Sequence, residues 1–140
     1  MRNSLIWLWL LVCASGLSAQ TPRVTREQLK QAVIQKNWDL LDRLLEVDSS
    51  AINDNSLFQD SWGEWSGLLI QCVTKSQVDG VRILLKHGAN PQLATWGEGE
   101  HTFPLAVAEK RKNELIYRLL CGLDKPVYQR SSDPPLPGTP

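Results

Sequence analysis

The chain has 140 residues, with 15 Lys and Arg against 15 Asp and Glu, so its formal charge at neutral pH is zero. That length suits one compact domain and is too short for two ordinary ones. Neutrality argues against nucleic-acid binding, which requires a clustered cationic face to displace counterions, and against steering by a strongly charged membrane surface.

Met1-Arg2-Asn3 opens the chain with a positive charge, Leu5 to Val12 is an unbroken apolar run, and Ala14 to Ala19 is rich in small residues. These three parts are the layout of a secretory signal peptide. The apolar run is well short of the roughly 20 residues a membrane span requires. The expectation is therefore a leader over residues 1–19, cleaved after Ala19. Val12 is too bulky for the small residue that precedes a lipidated cysteine, which disfavours Cys13 as an anchor. The mature protein is expected in the periplasm or outside the cell, with no membrane insertion after cleavage.

Residues 20–128 are expected to form the folded domain. Thr25 and Gln28 have capping-box spacing and open a short helix over Thr25 to Gln35. Further short helices are predicted over Leu68 to Lys75 and Phe103 to Arg111. Each is followed by a longer amphipathic helix that includes, in turn, Leu44-Leu45, Leu84-Leu85 and Leu119-Leu120. The connections Lys36-Asn37-Trp38, Ser76-Gln77-Val78 and Lys112-Asn113 are short enough to force antiparallel helical hairpins. Gly88 and Gly122 supply left-handed ends for the second and third of these, with Pro91 and Pro126 beyond. Between hairpins, Trp62-Gly63-Glu64 recurs 34 residues later as Trp96-Gly97-Glu98. A hairpin of this size cannot bury its apolar face alone, so the repeat implies stacking. The fold class expected is all-α: a short solenoid of about three helical hairpins with β-finger connections.

Val81-Arg82-Ile83-Leu84-Leu85-Lys86-His87-Gly88-Ala89-Asn90-Pro91 resembles the second helix and Gly-Ala-Asp-Pro end of the ankyrin family. Thr102-Phe103-Pro104-Leu105-Ala106-Val107-Ala108 resembles the Thr-Pro-Leu-His start of the family's first helix, with one residue inserted and Ala106 in place of His. The resemblance covers Gln28 to Pro126 as about three repeats and is weakest in the first. That unit ends in Val47-Asp48-Ser49-Ser50, and Ser49 to Ser61 holds an insertion that stretches the spacing beyond the family's period of about 33 residues. Leu68-Leu69-Ile70-Gln71 replaces Thr-Pro-Leu-His in the second.

No catalytic arrangement stands out. His87 reads as a last-turn cation favoured by the helix dipole. Ser66-Gly67 lacks the glycine pattern of a nucleophile elbow, and neither Trp-Gly-Glu segment forms a phosphate loop between strand and helix. Cys72 and Cys121 sit in apolar helical patterns. An oxidising compartment permits a disulfide between them, and free thiols serving as small hydrophobes are the alternative. No cofactor or metal is expected.

The ankyrin resemblance implies binding of another protein by finger tips and by the exposed side of the first helices. By position this assigns Trp62, Glu64, Trp65, Trp96, Glu98, Glu100 and His101 to the fingers. Gln71 and Lys75 fall on the second short helix, and Lys110 and Arg111 on the third. Tryptophan is a preferred hot-spot residue in interfaces. Trp62 and Trp96, as apparent equivalents, also suit a structural role in covering the seam between repeats, whereas Trp65 has Gly99 at its place. Small exported binders of this kind suit an immunity or inhibitor protein against a toxic enzyme, or an accessory to an envelope protein. Two other classes stay open: a small hydrolase using Glu98, Glu100 and His101, and a self-associating structural protein. Residues 129–140 are Pro-rich and expected as a disordered, solvated tail.

Overall fold

A computed structural model describes residues 23–59, 64–97 and 100–134. The leader expected over residues 1–19 lies outside the described residues. The helices are α1 (Arg26–Ile34), α2 (Trp38–Val47), α3 (Leu68–Thr74), α4 (Val78–Lys86), α5 (Pro104–Lys110) and α6 (Glu114–Leu120). Four strands alternate with them: β1 (Phe58–Gln59), β2 (Trp65–Ser66), β3 (Thr95–Gly97) and β4 (Glu100–Thr102). They form two separate two-stranded antiparallel sheets, β1–β2 and β3–β4.

This corrects the all-α expectation, because the described residues form a mixed α/β structure. The cause lies in the segments between helical hairpins. Phe58, Trp65, Thr95, Trp96 and Thr102 favour extended backbone, and an extended segment leaves its N–H and C=O groups unpaired unless a second segment meets it. Each connection folds back on itself and satisfies both halves.

The three helical pairs, α1 with α2, α3 with α4 and α5 with α6, close through one repeated turn. Lys36, Ser76 and Lys112 each take φ of 54°. The next residue donates its N–H five positions back: Asn37 to Ala32 (2.9 Å), Gln77 to Cys72 (2.8 Å) and Asn113 to Ala108 (3.1 Å). This is the Schellman closure, here with a non-glycine residue in the left-handed region, at a cost of roughly 1–2 kcal/mol each. Asn37 and Asn113 then cap α2 and α6 by accepting from Leu40 and Ile116. The second helices of the later pairs, α4 and α6, end on Gly88 (φ 91°) and Gly122 (φ 74°); α6 is no longer than α5, each having seven residues, against the expected short-then-long order. Helix α2 lacks such a glycine and runs into extended Asp48 (φ −154°). The expected capping box of α1 is present, with Gln28 N–H donating to Thr25 Oγ1 and Thr25 N–H to Gln28 Oε1.

The pairs stack so that α1, α3 and α5 form one row and α2, α4 and α6 another. Leu29, Leu41, Leu68, Cys72, Val81, Ile83, Leu84 and Ile116 are fully buried between them. Gly80 permits the closest approach. A Cβ there would lie 2.7 Å from Cys72 Sγ and 2.9 Å from the Trp38 ring, so Trp38 seals the joint between α2 and α4. The inserted residues after α2 are packed rather than looped out: Ile52, Leu57 and Phe58 are buried. Asn53 Oδ1 accepts from Asn90 N–H (2.8 Å), and Asn55 Nδ2 donates to the Ala94 carbonyl (2.9 Å). Arg26 pairs with Asp54 at 2.8 Å. The insertion thus joins the first helical pair to the start of the second sheet.

One carboxylate sits inside the outer row. Asp42 on α2 is 1% exposed and receives three basic side chains: His87 Nε2 at 2.7 Å, Lys86 Nζ at 3.1 Å and Arg130 Nε at 2.7 Å. Burial alone would raise its carboxyl, but hydrogen bonds from His87, Lys86 and Arg130 outweigh that and hold it below the usual aspartate value. Arg130 Nη2 also lies 2.6 Å from Glu46 Oε1, a charge contact off the hydrogen-bond axis. Arg130 was expected on a solvated tail, and the carboxylates of α2 hold it instead. Residues 135–140 lie outside the described residues.

Candidate functional site

Among the described residues, Glu64, Trp65, Trp96, Glu100 and His101 lie on or beside the strands, and Gln71, Lys75, Lys110 and Arg111 lie on α3 and α5 or at their ends. In the first sheet Phe58 pairs with Ser66 and Gln59 with Trp65. In the second, Thr95 pairs with Thr102, Trp96 with His101 and Gly97 with Glu100. The two sheets adjoin through β2 and β3. Each leads directly into a helix, β2 into α3 and β4 into α5, so the strand ends and the first turns of these helices share one edge.

Trp65 is 49% exposed on β2, while its strand neighbour Phe58 is buried and anchors the sheet to the core. Alternation along a strand explains the contrast across the Phe58–Ser66 and Gln59–Trp65 pairs, because successive residues face opposite sides. Ser66 Oγ accepts from Gln71 Nε2 at 2.8 Å, which ties the first turn of α3 to β2. Gln71 is therefore a positioning residue for this edge as well as part of its surface. Glu64 is half-buried at the start of β2.

Lys75, Lys110 and Arg111 are exposed at the opposite ends of α3 and α5. A seven-residue helix spans about 10 Å, so these cations stand one helix length from the aromatic edge. They extend the same row without joining the Trp65 cluster. Trp62 and Glu98 lie outside the described residues. Trp96, Glu100 and His101 are placed by the β3–β4 register, with Trp96 opposite His101.

Trp62, Gly63 and Gly99, on which the expected equivalence of the two Trp-Gly-Glu segments turns, lie outside the described residues. Trp96 stands in β3, whereas Trp62 falls between β1 and β2 in the sequence. Matching the two ladders from their last pairs, Ser66 with Thr102, makes His101 the counterpart of Trp65 and leaves Gly99 outside that match.

Phe103 was not singled out from the sequence. It is the N-cap residue of α5 and 42% exposed, on the same edge as Trp65. Its signal was the residue inserted between Thr102 and Pro104, an apolar side chain where a helix start ordinarily has a small polar one.

The cysteines are both free, Cys72 buried and Cys121 exposed. Burial pushes the Cys72 thiol up to about 12, which removes its thiolate, the reactive form, at neutral pH. Among the described residues no group of three or more His, Cys, Asp or Glu side chains is arranged to hold a metal. Likewise no helix among them is long and apolar enough to cross a membrane. No family model matches the chain, and no curated protein matches it.

Proposed function

We infer that the protein is a non-catalytic binding module that recognises another protein through the edge formed by β2, β4 and the first turns of α3 and α5. The observation that carries this reading is Trp65, half in solvent on a sheet whose other face is anchored by buried Phe58. An indole costs free energy when left wet, and a rigid platform beneath it lowers the entropy lost on docking. Phe103 adds a second exposed aromatic on that edge, and Gln71 fixes the strand that bears Trp65. Glu64, Trp96, Glu100 and His101 contribute through the same sheets, and Lys75, Lys110 and Arg111 form a cationic rim one helix length away.

The residues 1–19 support export, and the near-neutral chain supports a protein partner over nucleic acid. A toxic enzyme neutralised by this module, or an envelope protein assisted by it, is the partner class that fits a small exported binder. Kinship with the ankyrin family is part of the same reading and rests on Val81 to Pro91 and Thr102 to Ala108.

Self-association by end-to-end stacking is disfavoured by the last helical pair. Where the middle pair buries Ile70 and Val73, the corresponding positions carry exposed Ala106 and Glu109. The test is affinity capture from the protein's own envelope extract by the native chain and by a Trp65→Ala/Phe103→Ala variant. One stoichiometric partner retained only by the native chain supports the reading. Equal capture by both removes this edge as the binding surface.

A further inference from the structure

The chain beyond α6 has an unusual way of lying on the fold. From Leu123 to Arg130 exposure alternates residue by residue: Leu123, Lys125, Val127 and Gln129 are exposed, and Asp124, Pro126, Tyr128 and Arg130 are half-buried. Alternation of this kind belongs to extended backbone, yet these residues join no sheet. Among the described residues no backbone–backbone hydrogen bond links this segment to α2 or α4. Its contacts with α2 are made by side chains and by Ser131, whose backbone N–H also bonds the Asp39 carboxylate. Tyr128 Oη donates to Asp39 Oδ1, and Arg130 reaches Asp42 and Glu46. Asp39, Asp42 and Glu46 are spaced three and four apart, which puts them on one face of α2.

A helix face with a row of carboxylates is reading an extended segment through an aromatic and an arginine two residues apart. That is how a protein reads a peptide ligand, by alternate side chains entering fixed positions. Lys86 and His87 hold Asp42 from α4, so its carboxylate stays oriented whether or not Arg130 is present. A planar guanidinium fits such a preset carboxylate better than the compact ammonium of Lys.

We propose that the acidic face of α2 is a second docking site, for an extended partner segment bearing an aromatic residue and an arginine two positions later, and that the chain's own residues 124–134 occupy it in cis. The partner segment gains the site by displacing this strap, which makes the strap an autoinhibitory contact. The site lies on the outer row of helices and is independent of the Trp65 edge.

The test uses the full-length chain with Tyr128→Ala and Arg130→Ala, which empties the site, and a synthetic peptide with the sequence of residues 124–134 as probe. The emptied protein binds the peptide measurably by fluorescence anisotropy. The native protein binds it about tenfold or more weakly, because a short tether holds the competing strap at an effective concentration in the millimolar range. The same peptide with Arg changed to Ala loses binding, as does the emptied protein carrying Asp42→Asn. No binding to the folded, emptied protein, or binding indifferent to the arginine, overturns the proposal. If the emptied protein does not fold, trypsin cleavage after Arg130 in the native chain decides, because the protease needs the guanidinium that Asp42 and Glu46 hold. Cleavage there well before global unfolding supports a displaceable strap. Cleavage only at the rate of global unfolding makes the segment part of the cooperative core and overturns it.

Discussion

Asp42 offers the most quantitative check on how the outer row is held. Its side chain is 1% exposed, and the side chains facing it differ in their access to water: His87 is 12% exposed, Arg130 17% and Lys86 38%. Removing one partner of a buried ion pair costs about 3–5 kcal/mol, because the remaining charge is left without compensation. Lys86 regains water when the carboxylate goes, so that figure is an upper range for this site. Asp42→Ala, which also leaves a small void, is expected to cost about 2–4 kcal/mol. Asp42→Asn keeps the shape and one acceptor oxygen, and is expected to cost about 2 kcal/mol. Urea unfolding followed by far-ultraviolet circular dichroism measures both. A loss of 2 kcal/mol lowers the midpoint of thermal unfolding by roughly 8–16 °C for a domain of this size.

The pH dependence gives that prediction a second arm. The Asp42 carboxyl is held below its unfolded value in the native state, so between the two values the unfolded chain binds more protons and stability rises with pH. The contribution is fully present above the ordinary aspartate value of about 3.9 and is lost as pH falls through the native one. Asp42→Asn should remove that portion of the acid slope. A change within about 0.5 kcal/mol for Asp42→Asn, with an unaltered acid slope, refutes the reasoning.

Four further substitutions test the packing and the turns. Gly80→Ala places a Cβ 2.7 Å from Cys72 Sγ and 2.9 Å from the Trp38 ring; the overpacking cost of about 1–3 kcal/mol exceeds the gain in helix propensity of about 1 kcal/mol, and Cys72→Ala in the same chain should recover part of the difference. Gly88→Ala meets nothing within 4 Å, so its expected loss of about 1–2 kcal/mol comes from the left-handed backbone alone. Lys112→Gly, at a residue already in that conformation, should instead leave stability unchanged or raise it by up to about 1 kcal/mol, and a loss there contradicts the turn assignment. Asn55→Ala removes a hydrogen bond to Ala94 across 39 residues of sequence, with an expected cost of about 0.5–1.5 kcal/mol and faster hydrogen exchange at β3.

The helical pairs were legible because their signals are local. Thr25 with Gln28, the Gly88 and Gly122 ends, and the short links at Lys36, Ser76 and Lys112 each dictate a start, a stop or a reversal within a few residues. The strands were less so: each is two or three residues long, too short for alternation to register. Asp42 carried a readable signal. Trp38, Leu41 and Leu45 mark the apolar stripe of α2, and Asp42 falls on it, four residues after Trp38 and three before Leu45. A carboxylate at a core position demands cationic partners. Which partners answer it depends on α4 and the C-terminal strap arriving from 44 and 88 residues away, and no local pattern encodes that meeting.

The central claim is that the strand edge, and not the outer row of helices, meets the principal partner. Hydrogen exchange of the complex with the captured protein tests it most directly. Protection concentrated on residues 64–71 and 100–106, and lost with Trp65→Ala, is the expected result. Protection confined to α2, α4 and residues 124–134 contradicts it and places recognition on the acidic face instead.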